Sequence, residues 1–184
     1  MLIKATQGLR IGPNDDDDFG PVINQSQLDQ MVEAIERAKG DGATVVVGGV
    51  RLDDEVHQGG YYMAPTIIEN AASTAAISTT ELFGPITCLY RVGDFDEAVA
   101  LANESPFGLT ASIHTANIDR AMTFIGRVQS GVAVVNGATY GSEPHMPFGG
   151  LKQSGNGTRE AGTEAIDVYS ELKTVYIHHD ETQV

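Results

Sequence analysis

One cysteine, five histidines, an aspartate run and several glycine-dense stretches are the parts from which a nucleophile, a metal site or a phosphate cradle would be built in this chain. Cys88 lies in the apolar run Pro85-Ile86-Thr87-Cys88-Leu89-Tyr90. Such a run lacks the electropositive surroundings that favour a thiolate, so the side chain is expected to be buried and inert. No GxSxG elbow offers a serine in its place. His57, His114, His145, His178 and His179 show neither HExxH nor another ligand spacing, so no metal site is expected; all but His145 are read as packing or surface residues. Gly155-Asn156-Gly157 runs on to Gly162 and misses GxGxxG, and Gly149-Gly150-Leu151-Lys152 lacks the earlier glycine of a Walker loop. Residues 15–18 are four consecutive aspartates without the alternating spacing of a calcium loop, which reads as a solvated loop. No catalytic residue is assigned within the chain.

Hydrophobic spacing gives the elements that would carry any site. Leu2, Ile3, Ala5 and Leu9 recur at helical intervals before Gly12-Pro13, so the chain is read as opening inside a helix without a cap. Ser26 is expected to cap a helix whose apolar face is Leu28, Met31, Val32, Ile35 and Ala38, stopped by Gly40. Residues 44–47 read as a strand, and residues 61–68 as an extended stretch that Pro65 confines to an edge or an irregular strand. Residues 86–92 are β-branched and aromatic. Asp96 is expected to cap a helix on Ala98, Val99, Leu101 and Ala102, and residues 109–113 form the next strand. Asn117 is expected to cap a helix facing the core with Ala121, Met122, Ile125 and Val128 and closed by Gly131; residues 132–135 follow as a strand.

Strands alternating with helices, two of them uniformly apolar, predict an α/β fold: a helix-covered, mostly parallel sheet in three αβα layers. A short helical stretch near residues 160–168 and an alternating strand at 173–177 end the pattern, the latter an edge strand suited to subunit association.

Composition narrows the partners. Eleven Lys and Arg against 25 Asp and Glu leave a formal charge of −14, which argues against nucleic acid. The acidity fits either a salt-rich setting or simple solubility. A lone cysteine fits a reducing compartment, and no apolar run has the length of a signal peptide or a membrane span, so a soluble cytoplasmic protein is expected.

Five spaced segments occur in an order that resembles the C-terminal half of the NAD(P)-dependent aldehyde dehydrogenases. Glu81-Leu82-Phe83-Gly84-Pro85 resembles that family's E-I/L-F-G-P, and Glu97-Ala98 through Ala102-Asn103 to Phe107-Gly108-Leu109 resembles E-A-I-x-x-A-N followed by Y-G-L. Residues 131–136 resemble G-x-V-x-V-N; residues 147–155, PFGGLKQSG, resemble P-F-G-G-x-K-x-S-G; Glu171-Leu172-Lys173-Thr174-Val175 closes the match.

The resemblance implies roles. Glu81 would accept hydrogen bonds from the nicotinamide ribose of NAD or NADP, Phe83 would form an apolar wall beside the nicotinamide, and Gln27 would reach a cofactor ribose, with Gln30 standing where the family carries a lysine. Phe148 would line the path of the aldehyde substrate, with His145 and Tyr140 in the variable part of that wall. The polar character of that wall, with Ser142 and Glu143, and one extra residue in the segment at 156–162 tilt the resemblance towards semialdehyde-oxidising members. Residues 1–168 would be the C-terminal part of the catalytic domain and residues 169–184 an oligomerisation strand and tail, making a homo-oligomer. The family's nucleophilic cysteine, general-base glutamate and Rossmann portion have no counterpart in the chain, so by itself it is expected to be inactive. A non-catalytic protein of the same fold, used for ligand binding or subunit association, is the alternative.

Overall fold

A computed structural model describes residues 1–178, and the chain divides into two compact units, Met1–Ser105 and the remainder from Pro106. The first unit contains α1 (Leu2–Gln7), α2 (Gln25–Gly40), β1 (Thr44–Val47), β2 (Arg51–Leu52), β3 (Tyr62–Met63), β4 (Thr66–Glu69), α3 (Ala76–Thr79), β5 (Ile86–Leu89) and α4 (Phe95–Glu104). The second contains β6 (Phe107–Gly108), β7 (Thr110–Ile113), α5 (Ile118–Arg127), β8 (Val132–Val135), β9 (Leu151–Lys152) and α6 (Ala165–Val168).

The core of the first unit is made by α2 lying on a three-stranded sheet in the order β1-β4-β5. Leu28, Met31, Ile35 and Ala38 recur at helical intervals and are buried against Met63, Ile68 and Ile77, with Val45, Ile86 and Cys88 packed at the margin. Ile67 points to the other face, where Leu2, Thr6 and Leu9 on and just after α1 line a small cavity with it and Thr87. Both faces of β4 are thus covered, and its residues Thr66, Ile67 and Ile68 are buried. In the second unit β7 and β8 pair, and Ala121 and Phe124 of α5 are buried.

The mixed α/β class holds. The two longest registers, β4 with β5 and β7 with β8, are parallel with four residue pairs each. The other three pairings, β1 with β4, β2 with β3 and β6 with β9, are antiparallel, so the uniformly apolar residues 45–47 enter the sheet against the expected direction. Pro65 falls between β3 and β4, outside both ladders, which leaves β4 free to take the central position denied to it on sequence grounds.

Helix starts and faces also differ in detail. Asn24, extended at φ −162°, caps α2 by accepting from the Gln27 amide, which places Ser26 inside the first turn. Asp94 caps α4 by accepting from the Glu97 amide, so Asp96 lies in that helix's first turn, where its charge suits the helix dipole. Asn117 caps α5 as expected, through the Arg120 amide. That helix ends at Arg127, before Gly131, and it buries Ala121 and Phe124 while Met122 and Ile125 stay exposed. Residues 170–178 carry no regular element and Leu172, Val175, Tyr176 and Ile177 are exposed, so the expected strand at 173–177 is absent from the chain by itself. A strand exists only with a hydrogen-bonding neighbour, and none adjoins this stretch among the described residues. His179 and the rest of the tail lie outside the described residues.

Candidate functional site

Two features of the Glu81-Leu82-Phe83-Gly84-Pro85 turn are dictated by what lies beneath it. A Cβ on Gly84 would meet Met31 Sδ at 2.2 Å, and Met31 is fully buried, so the backbone can rest on α2 only where there is no side chain. Phe83 takes a left-handed conformation, φ 47°, uncommon for an aromatic residue, and is 78% exposed. That combination turns a large apolar ring out of the core, where the hydrophobic effect alone would have placed it.

Gln27, in the first turn of α2, donates from its side-chain Nε2 to the Leu82 carbonyl. The turn is therefore held from two sides, by Met31 beneath Gly84 and by Gln27 on Leu82. On the far side the Pro85 carbonyl accepts from the Thr66 amide at 2.7 Å, which fastens the turn to β4.

Between this turn and residues 19–23 runs a groove of about 600 Å³ lined by Phe19, Val22, Ile23, Gln27, Phe83 and Pro85, with the backbone of Gly20 and Gly84. No Lys or Arg is among its lining residues, so a flat, uncharged ring suits it and an anion does not. Of the residues singled out for the cofactor, Gln27 and Phe83 share this groove. Glu81 is exposed, two residues before Phe83, and is not part of the lining.

Tyr140, His145 and Phe148 belong to the second unit, on the loop that follows β8. That loop departs from Asn136, at φ 55°, whose side-chain oxygen accepts from the Thr115 amide at 2.8 Å and whose Nδ2 donates to the Thr115 carbonyl at 2.9 Å. It ends at Phe148, whose backbone exchanges two hydrogen bonds with Glu160, 2.8 and 2.9 Å. Phe148 is half-buried, His145 is exposed and Tyr140 is 88% exposed. Beneath lies the glycine-rich segment. A Cβ on Gly131 would stand 1.6 Å from the Gly149 carbonyl oxygen, and Ser154 Oγ accepts from the Gly108 amide at 3.1 Å. These glycines serve backbone-to-backbone packing.

Cys88 is half-buried, and burial pushes its thiol up from the ordinary value although hydrogen bonds with Tyr90 and Ser78 pull the other way. The thiol is the stable form at neutral pH, in keeping with an inert residue. Tyr90 Oη and Ser78 Oγ lie 2.5 Å apart beside it. The aspartates at 15–18 form the solvated loop expected of them, organised by Arg10: its amide donates to Asp18 Oδ2 at 2.8 Å and its Nη1 to Asp16 Oδ2 at 3.2 Å. Among the described residues no group of three or more His, Cys, Asp or Glu is placed to hold a metal ion, and no helix is long and apolar enough to cross a membrane.

Sequence reasoning linked Gly20-Pro21 with Gln27 but missed Phe19, Val22 and Ile23 as lining residues, and it missed the engagement of His57, whose two ring nitrogens both have partners. Asp54 three residues before His57 was the available signal, and it is a weak one on its own.

Comparison with known proteins agrees with these motifs. The model of the aldehyde dehydrogenase family matches residues 1–175. An alpha-ketoglutaric semialdehyde dehydrogenase of Bacillus subtilis is 38% identical over 178 residues, 96% of this chain and 36% of the relative. An alpha-ketoglutarate semialdehyde dehydrogenase of Haloferax volcanii is 39% identical over 176 residues, 95% of this chain and 36% of the relative. The crystal structure of a betaine aldehyde dehydrogenase from Staphylococcus aureus in complex with NAD+ superposes with a TM-score of 0.86 at 30% identity, over 91% of this chain and 33% of that one. The chain thus spans about a third of the length of these relatives.

Proposed function

From the premise that this chain belongs to the aldehyde dehydrogenase family, we propose that it supplies the nicotinamide-facing turn and the substrate loop of an NAD-dependent enzyme oxidising an aldehyde to a carboxylic acid. The observation that carries this is the groove in which the outward-turned Phe83 and the half-buried Gln27 meet. NAD is the dinucleotide in the Staphylococcus aureus relative's structure, and the uncharged, largely apolar lining suits the nicotinamide end of such a molecule. A bound NAD would supply the hydride acceptor for that oxidation.

Phe83 gives that ring an apolar face and keeps water from it. Glu81, exposed beside Phe83, accepts hydrogen bonds from the ribose hydroxyls. Gln27 has one amide hydrogen committed to Leu82, so its first task is to hold the turn, leaving its Oε1 and second hydrogen for the ribose. Phe148 lines the aldehyde's path, with His145 and Tyr140 exposed on the same loop.

The substrate class we propose is a semialdehyde, an aldehyde bearing a carboxylate. It is supported by the polar loop residues Tyr140, Ser142, Glu143 and His145 and by the names of the Bacillus subtilis and Haloferax volcanii relatives. The chain corresponds to the C-terminal part of the catalytic domain, and its exposed apolar residues at 172–177 pair with another copy in a homo-oligomer. A reducing cytoplasmic setting suits the unpaired Cys88.

Titrating the ¹⁵N-labelled chain with NAD+ tests the site: shifts at Gln27, Phe83 and Gly84 are expected, and shifts confined elsewhere would refute it. For the substrate, residues 1–175 are exchanged for the matching segment of the Bacillus subtilis relative and an aldehyde panel is assayed. Preference for carboxylate-bearing aldehydes over betaine aldehyde is expected, and the reverse preference overturns that part.

A further inference from the structure

The loop at residues 10–19 is closed by its own backbone. Gly12 donates to the Phe19 carbonyl at 3.1 Å, and Asp18 and Phe19 both donate to the Arg10 carbonyl, at 2.8 and 3.2 Å. The side chain of His57, in the connection between β2 and β3, enters from outside. Its Nε2 lies 3.0 Å from the Ile11 carbonyl oxygen and its Nδ1 2.8 Å from Asp54 Oδ1. The imidazole is 11% exposed, and the buried Tyr62 ring stands 4.9 Å away at 66° to it.

Both partners of this imidazole are oxygens without a proton, a carbonyl and a carboxylate. A neutral imidazole carries one N–H and the cation two. Either neutral tautomer would leave a nitrogen lone pair facing an oxygen at hydrogen-bond distance in a nearly closed site. We propose that His57 is a positioning residue that fastens the loop at residues 10–19, and with it the Phe19 wall of the groove, only while its ring is an imidazolium.

The groups around the ring favour that state. Asp54 faces it from its own loop, Asp17 acts on it from the fastened loop, and β3 presents the Tyr62 ring. The Ile11 carbonyl chiefly, and then Asp54 and Asp17, hold the imidazolium to higher pH than usual, against the opposing effect of burial. Raising the pH removes one of the two bonds; the Asp54 carboxylate, the stronger acceptor, keeps the remaining proton on Nδ1, and Ile11 is released. On the reading of the groove as the nicotinamide side of the cofactor site, NAD binding then weakens as the solution becomes alkaline.

The test uses the ¹⁵N-labelled chain between about pH 5.5 and about pH 9, the range in which histidines change charge. Long-range ring spectra report the protonation of His57, and amide exchange reports Gly12 and Phe19. The His57 ring should keep both nitrogens protonated to a pH above the ordinary histidine value of 6.5. Protection of Gly12 and Phe19, corrected for intrinsic exchange, should fall with the His57 midpoint. His57→Gln should flatten that profile. Asp54→Asn should move the midpoint down while leaving the Ile11 bond, and it carries the test if His57→Gln does not fold. A neutral ring at about pH 6, or a pH profile that survives either substitution unchanged, overturns the proposal. A loop that titrates as described while NAD+ leaves Phe19 unperturbed refutes the cofactor reading of the groove and not the fastening.

Discussion

Gln27 and Leu82, 55 positions apart in sequence, are joined by a hydrogen bond from a helix side chain to a turn carbonyl. This contact sets the carbonyl immediately before Phe83, whose left-handed backbone has no intrinsic reason to persist.

Gln27→Ala should therefore lower stability by about 1 kcal/mol, the usual net value of such a bond. Gln27→Glu should cost more, because a carboxylate would face the carbonyl oxygen. Urea unfolding of the three proteins gives the order; a Glu variant as stable as the wild type would sink the account.

The glycines separate by what their missing side chain would strike. At Gly84 the obstacle is the flexible Met31 side chain, and Gly84→Ala should cost about 1–3 kcal/mol, as overpacking does. At Gly131 it is the Gly149 carbonyl oxygen, a backbone atom at 1.6 Å that cannot rotate aside. Gly131→Ala should fail to yield soluble folded protein. Expression, followed by thermal melts where protein is obtained, checks both.

Most of the architecture was legible because it rests on local periodicity. The spacing of Leu28, Met31, Ile35 and Ala38 announces the face of α2, and Asn117 announces the start of α5. Facts of another kind were hidden. The choice of Phe124 over Met122 as a core residue is a small turn within one apolar arc that runs from Phe124 through Ala121 to Met122, and the helix's own sequence does not fix which edge of that arc is buried. The central place of β4 depends on which strands arrive on either side of it, and Pro65 misled because one residue decides whether a proline lies in a ladder or before it. At the groove, Phe83 and Gln27 were singled out by motif. The bond to Leu82 and the enclosure of His57 are long-range contacts that leave no periodic trace.

Stability should depend on pH through His57 and Asp54. His57 is held above its ordinary 6.5, so its contribution is complete below that value and is lost as the pH rises through the higher folded value. Asp54 is held below its ordinary 3.8, chiefly by its bond to His57, so its contribution is present above 3.8 and is lost as the pH falls through the lower folded value. The gap in unfolding midpoint between wild type and His57→Gln should be widest between those limits and close on the alkaline side. A gap that widens with rising pH would contradict the double hydrogen bond.

Cys88 should react slowly. With its thiol pushed up by burial, alkylation by iodoacetamide at neutral pH should lag well behind that of a free cysteine and speed up on unfolding. The chain by itself should give no turnover with NAD+ and aldehydes. Turnover abolished by Cys88→Ser would reverse the reading of that residue.

A formal charge of −14 implies self-repulsion that salt screens. The melting temperature should climb between about 0.05 and about 1 M NaCl, the span over which the Debye length shrinks from beyond 10 Å to about 3 Å. A fall over that range would show that specific ion pairs outweigh the net charge.

Asn136 gives the second unit a property beyond its geometry. By offering Thr115 both an acceptor and a donor, its amide imitates one more rung of the β7–β8 ladder just where the chain leaves it. The sheet is thus sealed at its exit, and Ser112 Oγ of β7 adds a bond to the Gly137 carbonyl at 2.6 Å, so the strands hold the chain as far as the first residue of the loop. Residues 138–147 can be lengthened, shortened or rewritten while the scaffold beneath stays zipped, which, on the proposed reading of this loop as a substrate wall, makes it the place to begin a redesign.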